Sequence, residues 1–170
     1  DALDHFIDTL DEIKARLNSA PDALVAIQKY IAENNNLRRE VEGFIQDQVN
    51  TFKKVSLENA KDINGIRVAT LFGQIVPDVA KGVAFAFKAE NLPNTVFLAA
   101  THDGGKPMLT VQVSEDLVKS GINAGKIVRE AAKCIQGGGG GQPHFAQAGG
   151  RNADGLGAAL EKMKQLMSEN

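Results

Sequence analysis

The sequence predicts an α/β protein preceded by a coiled-coil-like helical hairpin, the α/β part being a small mixed-sheet domain with a glycine-rich loop. Three observations predict it. Up to about Glu58 the apolar residues keep helical spacing and no glycines cluster. Beyond Asn64, short β-branched runs alternate with amphipathic stretches, the signature of strands interleaved with helices. Five consecutive glycines, Gly137 to Gly141, then interrupt the second part. We place the helical hairpin at residues 1–60 and the glycine-rich domain at residues 61–170.

The first segment, Leu3 to Asn18, sets Phe6, Ile7, Leu10, Ile13 and Leu17 on one helical face. Ser19-Ala20-Pro21-Asp22 breaks it, and Pro21 suits the first turn of a second helix running to about Glu58. Leu24, Ile27, Ile31, Val41, Ile45, Phe52 and Val55 fall near a heptad seam that polar Asn34, Arg38 and Gln48 interrupt. The short connection predicts an antiparallel pair. The second helix outruns the first, so its far end needs another partner: the α/β domain, an upstream segment or a second chain.

In the second part, Gly65 to Phe72 reads as a strand and Pro77 to Glu90 as a helix. Thr95 to Thr101 is a continuous apolar run, expected of a central strand covered on both faces. Asp103-Gly104-Gly105-Lys106 reads as a hairpin turn. Met108 to Ser114 alternates Leu109, Val111 and Val113 with polar residues, which predicts a half-buried strand. Asn123 caps a helix running to Gln136, Phe145 to Ala148 forms a short last strand, and Asp154 opens the closing helix.

Composition narrows the function. At 43% hydrophobic and 24% charged residues the chain is packed rather than disordered. Its net charge of −2 gives no general pull on nucleic acid, so a basic site must be local. A single cysteine, Cys134, excludes a disulfide framework or a cysteine-built zinc site, and reads as a small buried hydrophobe. No stretch approaches the roughly 18 apolar residues of a membrane span. The acidic start, Asp1 to Leu10, lacks the features of a signal peptide, so a cytoplasmic location is expected. The chain begins mid-pattern without methionine and reads as a fragment of a longer protein.

Glycines weaken a fold, so the run Gly137 to Gly141 needs a reason. Either it is a flexible linker, or it exposes backbone amides for close approach to a phosphate or a base edge. Ordered punctuation at both ends, closing in Gly149-Gly150, favours the second. Between Gly121 and Ala153, Lys126, Arg129, Lys133 and Arg151 face Glu130 alone, a local charge of +3. Lys126 and Arg151 bracket the run in sequence. Arg129 and Lys133 fit a solvated helix face equally well. His144 is placed to meet a ribose or a base, or to fasten the loop to a carbonyl; Gln147, to read a base edge or to satisfy backbone groups. No catalytic constellation and no metal-ligand spacing is visible. The run lacks the Gly-Lys-Ser/Thr ending of a P-loop and follows a helix, unlike a dinucleotide-binding fingerprint.

A helix carrying Ala124-Gly125-Lys126, the glycine run, and then Pro143-His144-Phe145-Ala146-Gln147-Ala148-Gly149-Gly150 resembles the DHH-associated domain. That domain closes alanyl-tRNA synthetases and accompanies the catalytic domains of DHH phosphoesterases. The resemblance covers roughly Ile63 to Met167. The leading helices resemble the helical subdomain that precedes it in the synthetases, and glycines ending in Gln142-Pro143 look like the synthetase version. The resemblance implies a non-catalytic C-terminal module that contacts the outer corner of tRNA and supports aminoacylation and editing of mischarged tRNA. It implies a parent ligase specific for alanine tRNA that uses ATP, Mg and Zn, with no cofactor in this part, and a homodimer through the helices. The alternative it leaves open, through His144, is the substrate-binding domain of a DHH phosphoesterase acting on short oligonucleotides. Carried onto this sequence, the contact candidates are Lys126, Gly137, Gly138, Gly139, Gly140, Gly141, His144, Gln147 and Arg151.

Overall fold

A computed structural model describes residues 1–169 and divides the chain into two compact units, the first ending at Phe44 and the second beginning at Ile45. The first unit holds helix α1 (Ala2–Arg16) and the start of α2 (Ala23–Glu58). Asp1 caps α1 by accepting from Leu3 N while Asp4 reaches back to the cap, a capping box. Asn18 and Ser19, both with positive φ near 56°, turn the chain, and Asn18 Nδ2 donates to Tyr30 Oη at 2.9 Å. Pro21 lies outside α2 rather than in its first turn. Asp22 takes the cap instead, its Oδ1 accepting from Leu24 N and Val25 N at 2.9 and 3.2 Å. No residue of this unit is buried, and Phe6, Leu24 and Phe44 are each about 70% exposed.

The second unit contains the rest of α2 and a six-stranded sheet ordered β1-β2-β3-β4-β6-β5. Its strands are β1 (Lys61–Ile63), β2 (Ile66–Gln74), β3 (Thr95–Asp103), β4 (Lys106–Val113), β5 (Gly138–Gly141) and β6 (Phe145–Gly149). Among the described residues only β2 and β3 pair in parallel, through the crossover helix α3 (Pro77–Glu90); the other pairs are antiparallel. A short α4 (Glu115–Lys119) and then α5 (Ala124–Ala132) connect β4 to β5, and α6 (Leu156–Ser168) closes the chain.

Alternation along the strands sends side chains to two cores. Val96, Leu98, Leu109, Val111, Ala146 and Ala148 pack under α5 and α6. Ala69, Leu71, Phe97 and Ala99 pack under α3, joined by Val49 of α2. Phe97 is fully buried and stacks on Phe87 with ring centroids 5.0 Å apart. Gly82 of α3 makes room for α2, since a Cβ there would lie 2.6 Å from Val49 Cγ2. The far end of the long helix thus finds its partner in the α/β domain.

Several sequence expectations need correction. Gly65 is not strand: with Asn64 it forms a two-residue hairpin turn, with φ of 55° and 80°, that brings Ile63 opposite Ile66. The strand β1 before it and the helix α4 were not predicted. Strand β4 is covered on both faces, because α3 crosses the side carrying Thr110 and Gln112. Helix α5 stops at Ala132 and passes into a 3-10 turn, Lys133–Ile135, ended by left-handed Gln136. The closing α-helix begins at Leu156, after a 3-10 turn capped by Asn152. Most importantly, Gly138–Gly141 is not a loop: it is the edge strand of the sheet, paired with β6.

Candidate nucleic-acid interface

The glycine strand fits its place because of where side chains would point. A Cβ added at Gly137, Gly139 or Gly141 would lie 1.8, 2.2 or 2.5 Å from carbonyl oxygens of Gly149, Gln147 and Phe145. At these alternate positions only glycine lets β5 approach β6. Gln142 N donates to Phe145 O at 2.9 Å. Counting back along the antiparallel ladder puts Gly140 and Gly138 in the bonded pairs and turns the amides of Gly139 and Gly141 to the open side of the sheet.

Gly138 and Gly140 have no such steric duty. A Cβ at Gly138 meets nothing within 4 Å, and one at Gly140 meets only the guanidinium of Arg129, at 3.4 Å. Helix α5 lies close beside this edge, since Gly125 would carry its Cβ 3.1 Å from Gly141 O and 3.3 Å from Arg129 Nη2. The result is a side-chain-free backbone edge with outward amides and a guanidinium laid along it. Such an edge offers hydrogen-bond donors and positive charge to an anionic backbone.

The two cations that sequence left undecided separate here. Lys133 pairs with Glu130 at 3.0 Å on the solvent side, whereas Arg129 lies against the glycine strand and has no salt-bridge partner among the described residues. Sequence reasoning undervalued Arg129 because its role follows from α5 packing across β5. The only sequence signal was helical spacing: Arg129 sits four residues after Gly125, on the same face.

Lys126 stands exposed in the first turn of α5, capped by Asn123 Oδ1, which accepts from Lys126 N at 3.1 Å. That turn is tied to the end of the glycine strand, Ala124 N donating to Pro143 O at 2.8 Å. Arg151 is exposed beyond the far end of β6, its amide donating to Ile135 O at 3.0 Å. Lys126 and Arg151 therefore mark opposite ends of a ladder about 10 Å long.

Residues His144 and Gln147 belong to other surroundings. Gln147 is held within the sheet, its Nε2 donating to Thr110 Oγ1 at 3.2 Å and contacting Met108 Sδ at 3.7 Å. The His144 carbonyl accepts from Val113 N at 2.8 Å, and the residue lines a cavity of about 500 Å³ at the C-terminal end of α3. Near that cavity, Asp116 is held below the usual carboxylate range. Ser114 Oγ donates to it at 2.6 Å, and Asn94 N donates at 2.8 Å, fastening the loop after α3 to the start of α4. Among the described residues no group of three or more His, Cys, Asp or Glu is placed to hold a metal, and no helix is long and apolar enough to cross a membrane.

Known proteins share this architecture. The model of the DHHA1 domain matches residues 65–169. The alanine–tRNA ligase of Bacteroides fragilis strain YCH46 is 50% identical over 164 residues, covering 96% of this chain and 19% of the relative. That of Porphyromonas gingivalis is 41% identical, covering 92% of this chain and 18% of the relative. The chain thus spans less than a fifth of the length of these curated relatives. The C-Ala domain from Aquifex aeolicus alanyl-tRNA synthetase superposes with a TM-score of 0.58 at 24% identity, over 65% of this chain and 98% of that one. RecJ from Thermus thermophilus, in complex with Mg2+, superposes with a TM-score of 0.54 at 18% identity, over 94% of this chain and 23% of that one. These two likenesses establish a shared fold. With the family match running from the Asn64-Gly65 turn through α6, the chain belongs to the DHHA1 domain family.

Proposed function

We propose that this chain is the tRNA-contacting C-terminal module of an alanine–tRNA ligase, and that the glycine strand β5 with Arg129 and Lys126 meets the tRNA backbone. The observation that carries the reading is the 50% identity to an alanine–tRNA ligase across both the helices and the sheet, over 96% of the chain. The geometry supports it with an edge of outward amides flanked by cations. In this reading the parent enzyme, with ATP, Mg and Zn, joins alanine to its tRNA, and the module steadies the outer corner of that tRNA during aminoacylation and editing. The exposed apolar residues of α1 and α2 form the surface through which two copies of the parent pair, in the cytoplasm.

Gel-shift titration of the fragment against alanine tRNA, an unrelated tRNA and a short single strand tests the reading. Preference for folded tRNA over the strand is expected, with affinity falling steeply as salt rises. Preference for the strand would move the assignment to a phosphoesterase substrate domain. Arg129→Ala should weaken tRNA binding by about tenfold and lower the salt slope by about one, as for loss of one phosphate contact. Unchanged binding in that variant would remove β5 from the interface.

A further inference from the structure

The cavity beside His144 is separate from the glycine edge and has its own chemistry. Its volume, about 500 Å³, is within the usual range of small-molecule sites. Phe87, Leu92 and Val118 supply apolar walls, Lys88 and His144 contribute polar groups, and Gln112 completes the lining. Gln112 is only 5% exposed. Its Nε2 donates to Val113 O at 3.3 Å, which fixes the sense of the amide, and its Oε1 has no hydrogen-bond partner among the described residues. A buried, unpartnered amide oxygen is costly, and none of the described residues satisfies it.

The geometry points to this cavity as the subsite for one unpaired nucleobase. A base is a flat ring that fits between apolar walls and carries N–H donors and ring acceptors on its edge. An amide answers both, accepting through Oε1 and donating through its second N–H, as glutamine does when it reads adenine. The terminal torsion of glutamine is soft, so a base that enters can draw Oε1 out of its buried position in exchange for the long Nε2 bond to Val113 O. Lys88 can meet the attached phosphate. The inference rests on the tRNA reading only for the source of the base; the pocket's chemistry stands on Gln112 and the apolar walls around it.

Titration of the isotope-labelled chain with AMP, followed by amide NMR shifts, tests it. Shifts centred on Phe87, Val113, Val118 and His144 are expected with AMP and absent with ribose 5-phosphate or inorganic phosphate. Gln112→Leu, close in shape, should weaken AMP at least tenfold without lowering the thermal midpoint. Should that variant fold poorly, Val118→Arg fills the cavity from its half-exposed rim and should abolish the shifts. Weakened tRNA binding in the same variant would assign the base to RNA, and unchanged tRNA binding would assign it to a free nucleotide. Absent AMP shifts, or equal affinity in wild type and Gln112→Leu, would overturn the subsite. AMP binding without any tRNA binding would sink the tRNA reading and leave the subsite intact.

Discussion

One helix, α2, belongs to two different environments. From Ala23 to Phe44 it buries nothing, while from Ile45 to Glu58 it sends Val49 and Ser56 into the second unit. The apolar spacing is alike on both sides of that boundary, so spacing shows which face of a helix is available for burial and not whether anything covers it. In the second unit the cover is α3, where Gly82 admits Val49. In the first, the apolar stripe of α1 and α2 stays exposed, which is the observation behind the proposal that it pairs two copies of the parent enzyme.

The largest test of this contrast compares two phenylalanines. Phe97→Ala empties a fully buried site and should cost about 3–5 kcal/mol. Phe6→Ala, at a site 74% exposed, should change stability by less than about 0.5 kcal/mol in the monomer. Chemical denaturation measures both, and a comparable loss at Phe6 would show that the first unit has a core after all.

A smaller effect sharpens the contrast inside the glycine strand. Gly139→Ala must push β5 off β6, because its Cβ would sit 2.2 Å from Gln147 O, and should cost more than about 2 kcal/mol. Gly138→Ala, with open space around its Cβ, should be nearly neutral for stability. Equal losses at the two positions would refute the alternation that aims the Cβ position of Gly139, but not that of Gly138, at β6.

The smallest effect is electrostatic. The Asp116 carboxyl is held below its ordinary value by Ser114 and Asn94, so folding favours its charged form. Its contribution is complete above the ordinary carboxylate range, near pH 4, and is lost as the pH falls through the lower folded value. Asp116 is solvent-exposed, so the amount is small. Thermal midpoints of wild type and Asp116→Asn should differ slightly at pH 7, and the gap should narrow as the pH falls below the ordinary carboxylate range. A gap that stays constant however far the pH is lowered would mean the aspartate acts through shape rather than charge.

Much of the fold was legible in the residues. Thr95 to Thr101 reads as a covered central strand, Pro77 to Glu90 as a helix, and Gly104-Gly105 as a turn, because each is specified by local composition. The Asn64-Gly65 hairpin was also written there, although its three-residue partner strand is too short to show periodicity. The candidate site was legible as a segment but not as an arrangement. Lys126, Arg151, His144 and Gln147 crowd one stretch of sequence, yet the fold sends the first two to opposite ends of a ladder, Gln147 to Thr110 within the sheet and His144 to the cavity at the C-terminal end of α3.

The sequence by itself determined most of the helices, the strands β2, β3, β4 and β6, and the need for glycine somewhere between α5 and β6. Those follow from backbone sterics and from the periods of helix and strand, which act over a few residues. Tertiary structure alone decided that the glycines form an edge strand, that Arg129 rather than Lys133 lies along it, and that Gln112 is buried with its Oε1 unpartnered. Each of those depends on which distant segment supplies the neighbouring atoms: β6 for the glycines, β5 for Arg129, and α3 for Gln112.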